Sequence, residues 1–193
     1  MDNSAKVLEE AISCCNLCEC VDKPFVKYRV YSTWLPSRVR VLAIGESPPP
    51  SKKENFFYNL KLFDRLRLSM KFILGFKEND EKLLTALKEH GIFITAAVKC
   101  RPLTRGELSE MSNACAHILK KELELLKPRK VIAMGNVASN MVSKIMNVER
   151  PRVEQLKAME VRGVKVVYMP HPNYVFRFRR NLAEHIKEHI LST

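Results

Sequence analysis

Four short apolar runs, VRVLAIG (39–45), IFITAAV (92–98), KVIAMG (130–135) and VKVVYMP (164–170), are separated by longer stretches whose apolar residues recur at helical spacing. Runs this short and unbroken read as strands buried on both faces, because a strand with one wet face would alternate. Strands alternating with helices need crossover connections, so the sheet must be mostly parallel and covered on both sides. The spacing predicts helices over 57–75, 80–90, 136–146 and 180–191. Another runs through ELSEMSNACAHILKKELELLKP, where Leu108, Met111, Cys115, Ile118 and Glu122 share one stripe, apolar until its last member, and Pro128 ends it. The expected architecture is α/β, a three-layer αβα arrangement around a central, mostly parallel four-stranded sheet. At 193 residues and 46% hydrophobic composition the chain closes one core, so a single domain over 1–193 is expected.

In open sheets of this kind ligands bind beyond the carboxyl ends of the strands. Those ends carry Glu46, Lys99–Cys100, Gly135–Asn136 and His171. The loop GESPPPSKKENFFYN (45–59) follows the first run; Pro48, Pro49 and Pro50 fix three φ angles and leave it little entropy to lose, which suits a pocket wall. Glu46 is either a solvated loop acid or a carboxylate that positions a water or stabilises a cationic transition state. Phe56, Phe57 and Tyr58 either staple the following helix to the core or offer a ring on which a flat base stacks, worth about 1–3 kcal/mol. In HPNYVFRFRR (171–180), His171 is a core histidine or a site residue, and Arg177, Arg179 and Arg180 are a solvated helix face or phosphate contacts.

Lys and Arg number 33 against 21 Asp and Glu, a net charge of +12 that favours a polyanionic partner, nucleic acid first, by counterion release. No run approaches the ~18 apolar residues of a membrane span, and the N-terminus lacks a secretory layout, so a soluble, intracellular, cytoplasmic and nucleoid-associated monomer is expected. Of the six cysteines, four lie in CCNLCEC (Cys14, Cys15, Cys18, Cys20) and two, Cys100 and Cys115, far downstream. Inside a cell such thiols bind metal or do redox chemistry more often than they pair. The C-x2-C pair Cys15 and Cys18 with two distant thiols supplies the four soft ligands that zinc or an iron–sulfur cluster needs. Cys100 and Cys115 also read as small core residues, whereas four thiols in seven residues do not read as packing.

Taken in order, GESPP (45–49), KCRP (99–102), LKPRKVIAMGNVAS (126–139) and HPNYVFR (171–177) resemble the motifs of the uracil-DNA glycosylase superfamily, specifically its iron–sulfur, family-4 branch of archaea and thermophilic bacteria. The likeness runs from about Cys14 to Arg180. It implies a [4Fe–4S] cluster held by Cys15, Cys18, Cys100 and Cys115, with Cys14 the alternative to Cys15. It implies that Glu46 handles the attacking water, that Phe56 or Phe57 stacks on an extruded base beside positions 96 and 173 (Ala96, Asn173), and that His171 bonds the departing base. Lys99, Arg101, Val175, Phe176, Arg177, Arg179 and Arg180 would then grip the DNA or fill the gap in the duplex.

This sequence departs from the family pattern at the residue that reads the Watson–Crick edge of uracil, an asparagine in the family and Ala96 here. Pro49 replaces the second glycine of the first motif, Lys52 and Lys53 replace acidic residues, and the loop after KCRP is short. The resulting expectation is a monofunctional DNA repair glycosylase acting on uracil or another deaminated or damaged base, with a repair protein as a further partner. No lysine is evidently placed for Schiff-base chemistry, Lys99 being the open alternative. The alternative is a non-catalytic DNA-binding protein on the same scaffold, which Ala96 favours and Glu46 and His171 oppose.

Overall fold

The computed structural model describes residues 3–192. Five strands form one sheet in the order β2-β1-β3-β5-β4: β1 Val41–Gly45, β2 Ile92–Ala96, β3 Lys130–Met134, β4 Lys157–Val161 and β5 Val164–Met169. The first three and β5 run parallel. Every residue of β1, β2 and β3 is buried, the reason their sequences are unbroken apolar runs. Helices are α1 Asn3–Ser13, α2 Pro24–Lys27, α3 Val30–Trp34, α4 Arg65–Leu74, α5 Asp80–Glu89, α6 Leu108–Leu126, α7 Asn136–Met146, α8 Pro172–Phe178 and α9 Ala183–Leu191. Helices α1, α6 and α7 pack in succession, as do α8, α4 and α9, and together they sandwich the sheet. The chain leaves β1 toward β2 on one side and reaches β3 on the other, so the rim between the ends of β1 and β3 is the switch point where such sheets bind ligands.

Two expectations need correction. The sheet has a fifth strand, β4, antiparallel at the edge and mostly exposed, so its KAMEV sequence carries no apolar run. It joins β5 through Arg162 (φ 50°) and Gly163 (φ 79°), a two-residue turn with both residues left-handed. The helix expected from residue 57 starts at 65, where the Asp64 carboxylate caps it by accepting the Arg67 N–H at 2.9 Å. What unwinds 57–64 is Arg67 itself. Wholly buried, it donates Nη1 to the carbonyls of Phe56 (2.8 Å), Phe57 (2.7 Å) and Asn59 (3.1 Å), Nη2 to Leu62 O, and Nε to Asp80 (2.9 Å). These carbonyls turn toward one guanidinium instead of along a helix axis, and the backbone bonds left to two of them, Asn59 N–H to Phe56 O (2.8 Å) and Leu62 N–H to Asn59 O (3.3 Å), close i→i+3 turns.

Candidate active site

Glu46 follows β1 directly, and its backbone carbonyl still accepts the Val98 N–H at 3.0 Å, so the strand geometry carries it to the rim. Its half-buried side chain makes no hydrogen bond or ion pair within the described residues. The acid is unspent. The loop beyond it ends in an aromatic nest. Phe56 packs on the rings of Phe25 (5.3 Å), Tyr28 (5.7 Å) and Tyr58 (5.8 Å), whereas among the described residues Phe57 meets one ring, Tyr58, edge-on at 5.0 Å. Both rings are 4% exposed, but Phe56 is committed to the nest and Phe57 is the less enclosed by other rings.

His171 sits two strands along, at the end of β5, and caps α8: its Nδ1 accepts the Asn173 N–H at 3.2 Å. An imidazole whose Nδ1 accepts must carry its proton on Nε2. Burial, with a lesser push from the Arg105 cation, drives its pKa down to about 4, so the ring is neutral at pH 7 and still a donor. The close approach of this histidine explains Gly135 at the end of β3: at φ 88°, any Cβ there would stand 3.1 Å from the His171 Cβ. Asn173 faces α4, where its Oδ1 accepts from the buried Ser69 hydroxyl at 2.9 Å, leaving its amide nitrogen as a donor.

Ala96, opposite Gly45 in register, is 6% exposed and its carbonyl is taken by Lys99 Nζ at 2.6 Å. Lys99, expected on DNA, is 0% exposed. Its ammonium reaches Glu122 Oε2 (2.5 Å) and Thr95 Oγ1 (2.6 Å), and the other Glu122 oxygen accepts from Tyr31 OH (2.6 Å) and Thr95 (2.7 Å). A cation so enclosed neither touches phosphate nor offers a free amine. Arg101 is likewise internal at 1% exposed. Val175, expected to fill the duplex gap, is a core residue at 0%. Phe176 packs edge-on to Phe72 at 5.3 Å, with the Arg180 guanidinium over both rings.

On the outer face of α8 stand Tyr174 (42% exposed) and Phe178 (63%), their rings 5.4 Å apart, with Arg177 over Phe178 at 5.1 Å. Sequence reasoning missed this pair, although its i, i+4 spacing, which brings two aromatic side chains together on one helix face, was the signal. It also missed a cleft of about 410 Å³ lined by Arg150, Arg152, Lys157 and Met159. Arg150 donates to Asn136 at 3.0 Å and Lys157 pairs with Tyr168, so this basic cleft opens at the same rim.

The thiols meet below the β2 end of that rim. Cys100 and Cys115 are buried with Val98, Leu108 and Met111, and Cys18 and Cys20 pack against them. Burial first, then the mutual repulsion of neighbouring thiolates, raises the pKa values of Cys18 and Cys100; burial does the same at Cys115, with Cys15 acting on it. Cys14, exposed at the end of α1, is not among the side chains acting on the buried pair. Cys20 is the member the spacing did not single out. The loop is pinned at its neck by Lys23, which donates to Ser13 O (2.7 Å) and Cys15 O (2.6 Å). Among the described residues no three His, Cys, Asp or Glu side chains are arranged to hold a metal ion. The donor set, thiols alone, has the softness that iron–sulfur clusters and zinc require, and an added cation would relieve the thiolate repulsion.

Residues 33–192 match the model of the uracil DNA glycosylase superfamily. The chain is similar to the type-5 uracil-DNA glycosylase of Pyrobaculum aerophilum, 25% identical over 165 residues that cover 78% of this chain and 72% of that protein. It is also similar to a type-4 uracil-DNA glycosylase of the same organism, 26% identical over 192 residues, covering 91% and 90%. The wild-type UNG crystal structure from Nitratifractor salsuginis shares the fold, with a TM-score of 0.51 at 14% identity over 88% of this chain and 78% of that one. Among the described residues no helix is long and apolar enough to cross a membrane.

Proposed function

The chain belongs to the uracil DNA glycosylase superfamily, and from that premise we propose that it hydrolyses the N-glycosidic bond of uracil or another deaminated base extruded from DNA. The observation that carries this reading is the pairing of an unpartnered carboxylate, Glu46, with a neutral, Nε2-protonated imidazole, His171, two strands apart on one rim. Two strand spacings are about 10 Å, room for a nucleoside between them. Cleavage develops positive charge on the sugar and negative charge on the leaving base. Glu46 stabilises the first and orients the water; His171 donates Nε2–H to a carbonyl oxygen of the second. The low pKa of His171 keeps it neutral throughout the physiological range, with the Nε2 proton in place to donate.

Phe57 is the ring we assign to stacking on the base, and Tyr174 with Phe178 the pair that fills the space it leaves. Arg105, Arg150, Arg152, Lys157, Arg177 and Arg179 line the rim for phosphates. We assign Cys18, Cys100 and Cys115, with Cys15 or Cys20 as the fourth, to a [4Fe–4S] cluster, which when bound cross-links the N-terminal loop to β2 and α6. A brown protein with a broad band near ~400 nm supports that assignment, and a colourless one with stoichiometric zinc contradicts it.

Ala96 supports a second reading, a DNA-binding protein without activity, because its methyl reads no base edge and its carbonyl is already occupied. Labelled oligonucleotides carrying uracil, hypoxanthine, xanthine or oxidised bases, incubated and then cleaved with alkali, separate the two. Base release from any of them supports the glycosylase; tight binding with no release from all of them supports the second reading.

A further inference from the structure

Arg101 lies beneath the Glu46 loop, and its bonds run in two directions. Toward the loop, Nη1 donates to the carbonyls of Pro49 (2.9 Å) and Asn55 (3.3 Å), and the adjoining Pro102 O accepts from Ser51 N–H at 3.0 Å. Toward the cysteine segment, Nε donates to Asp22 Oδ1 (2.8 Å), the Arg101 N–H donates to Asp22 O (2.9 Å) and Arg101 O accepts from Val21 N–H (2.9 Å). Three consecutive prolines leave the loop no N–H between Ser47 and Ser51 with which to bond itself. Ser51 is held at φ 68°, a left-handed conformation that a serine keeps only where its surroundings impose it. Just as Arg67 shapes the residues that follow, the loop from Pro49 to Asn55 is shaped largely from outside by Arg101. Its neighbours in sequence make the connection specific: Asp22 follows Cys20 by two residues, and Arg101 follows Cys100 by one. The two segments that meet at the thiols meet again at this ion pair.

We propose that Arg101 is a positioning residue for base excision, fixing the Glu46 loop in register with the cysteine-bearing segment through Asp22. The inference rests on the reading of Glu46 as the group that handles water. A lysine at 101 keeps the charge, but its donors leave from one atom, whereas the planar fork spreads its donors between two loop carbonyls on one side and a carboxylate on the other. On the loop's outer side Lys27 bridges Asp22 (3.5 Å) and Glu54 (2.8 Å), an exposed contact that acts in the same direction.

The test compares wild type with Arg101→Lys and Asp22→Asn by three readouts: amide hydrogen exchange, single-turnover release of base from a labelled oligonucleotide, and the visible spectrum. Exchange at Ser51–Phe56 is expected to accelerate about tenfold in Arg101→Lys, while 171–178 keep their wild-type rates and the spectrum is unchanged. Release is expected to slow about tenfold or more, with DNA affinity within about twofold, because a displaced acid costs rate rather than binding. Asp22→Asn, which keeps an acceptor, should move both readouts less and in the same direction. Unchanged loop exchange in both variants overturns the proposal, as does acceleration spread evenly over the whole chain. If the wild type releases no base, the glycosylase reading fails and the exchange comparison still decides the clamp.

Discussion

The two walls of the rim are built by opposite means. The His171 wall is built mainly of local bonds: Pro172 opens α8, His171 O accepts from Tyr174 N–H (2.8 Å) and Val175 N–H (3.1 Å), and the His171 ring accepts from Asn173, with the Ser69 hydroxyl donating to the Asn173 side chain from a distance in sequence. The Glu46 wall has no regular structure from 46 to 64 and is held by Arg67 and Arg101, whose carbonyl partners lie 5 to 52 positions away in sequence. A wall made of local bonds keeps its shape when distant residues change. A wall made of borrowed bonds fails with its donors. The acid and the donor of one proposed reaction therefore answer to different parts of the chain.

The largest break in that comparison should come from Arg67→Met, which strips the borrowed wall of its carbonyl partners in a buried site. Stability is expected to fall by about 3–5 kcal/mol, read as a lowered denaturant midpoint. Little or no loss would mean that the loop holds its own shape.

Acid should attack the other wall. The folded-state pKa of His171 is about 4 against an ordinary 6.5, so the unfolded chain binds the extra proton first. Its contribution is complete above pH 6.5 and is lost as pH falls toward 4, by up to about 3 kcal/mol. His171→Asn should flatten that part of the stability profile, and an unchanged slope would place the acid sensitivity elsewhere. The same variant should slow base release by about 10²-fold while leaving DNA affinity nearly intact; equal loss of both would count against a role in the reaction.

The smallest effect is expected at the exposed pair. Phe178→Ala should weaken duplex binding by about 1–2 kcal/mol with the rate of bound complex changed less, measured by titration and single turnover. Val175→Ala should instead lower stability and spare affinity, because that side chain faces the core.

The sheet was legible because strands buried on both faces have to be apolar throughout, and the rim followed because it sits where those runs stop. Glu46 and His171 were placed on the rim in that way. Edge strand β4 was not, since one exposed face leaves a five-residue strand with ordinary surface composition. Lys99 and Arg101 were misplaced for a related reason: the sequence shows a charge and hides its partner. For Lys99 a clue was present, because Glu122 was the one acid on an otherwise apolar stripe, and a buried acid needs a buried cation. For Arg101 none was, since its loop partners are backbone carbonyls, which no side-chain pattern records. The same holds for Arg67. Cysteine spacing pointed to Cys15 and Cys18, but only the fold brings Cys20 against Cys100.

The central claim is that Glu46 and His171 together break a glycosidic bond in DNA. The most direct test is single-turnover release from a uracil-containing duplex by wild type and Glu46→Gln, with duplex affinity measured on the same samples. The account predicts release by the wild type and a rate lower by tenfold or more in Glu46→Gln, at an affinity within about twofold. Equal rates in the two proteins, or a loss of affinity as large as the loss of rate, would contradict it.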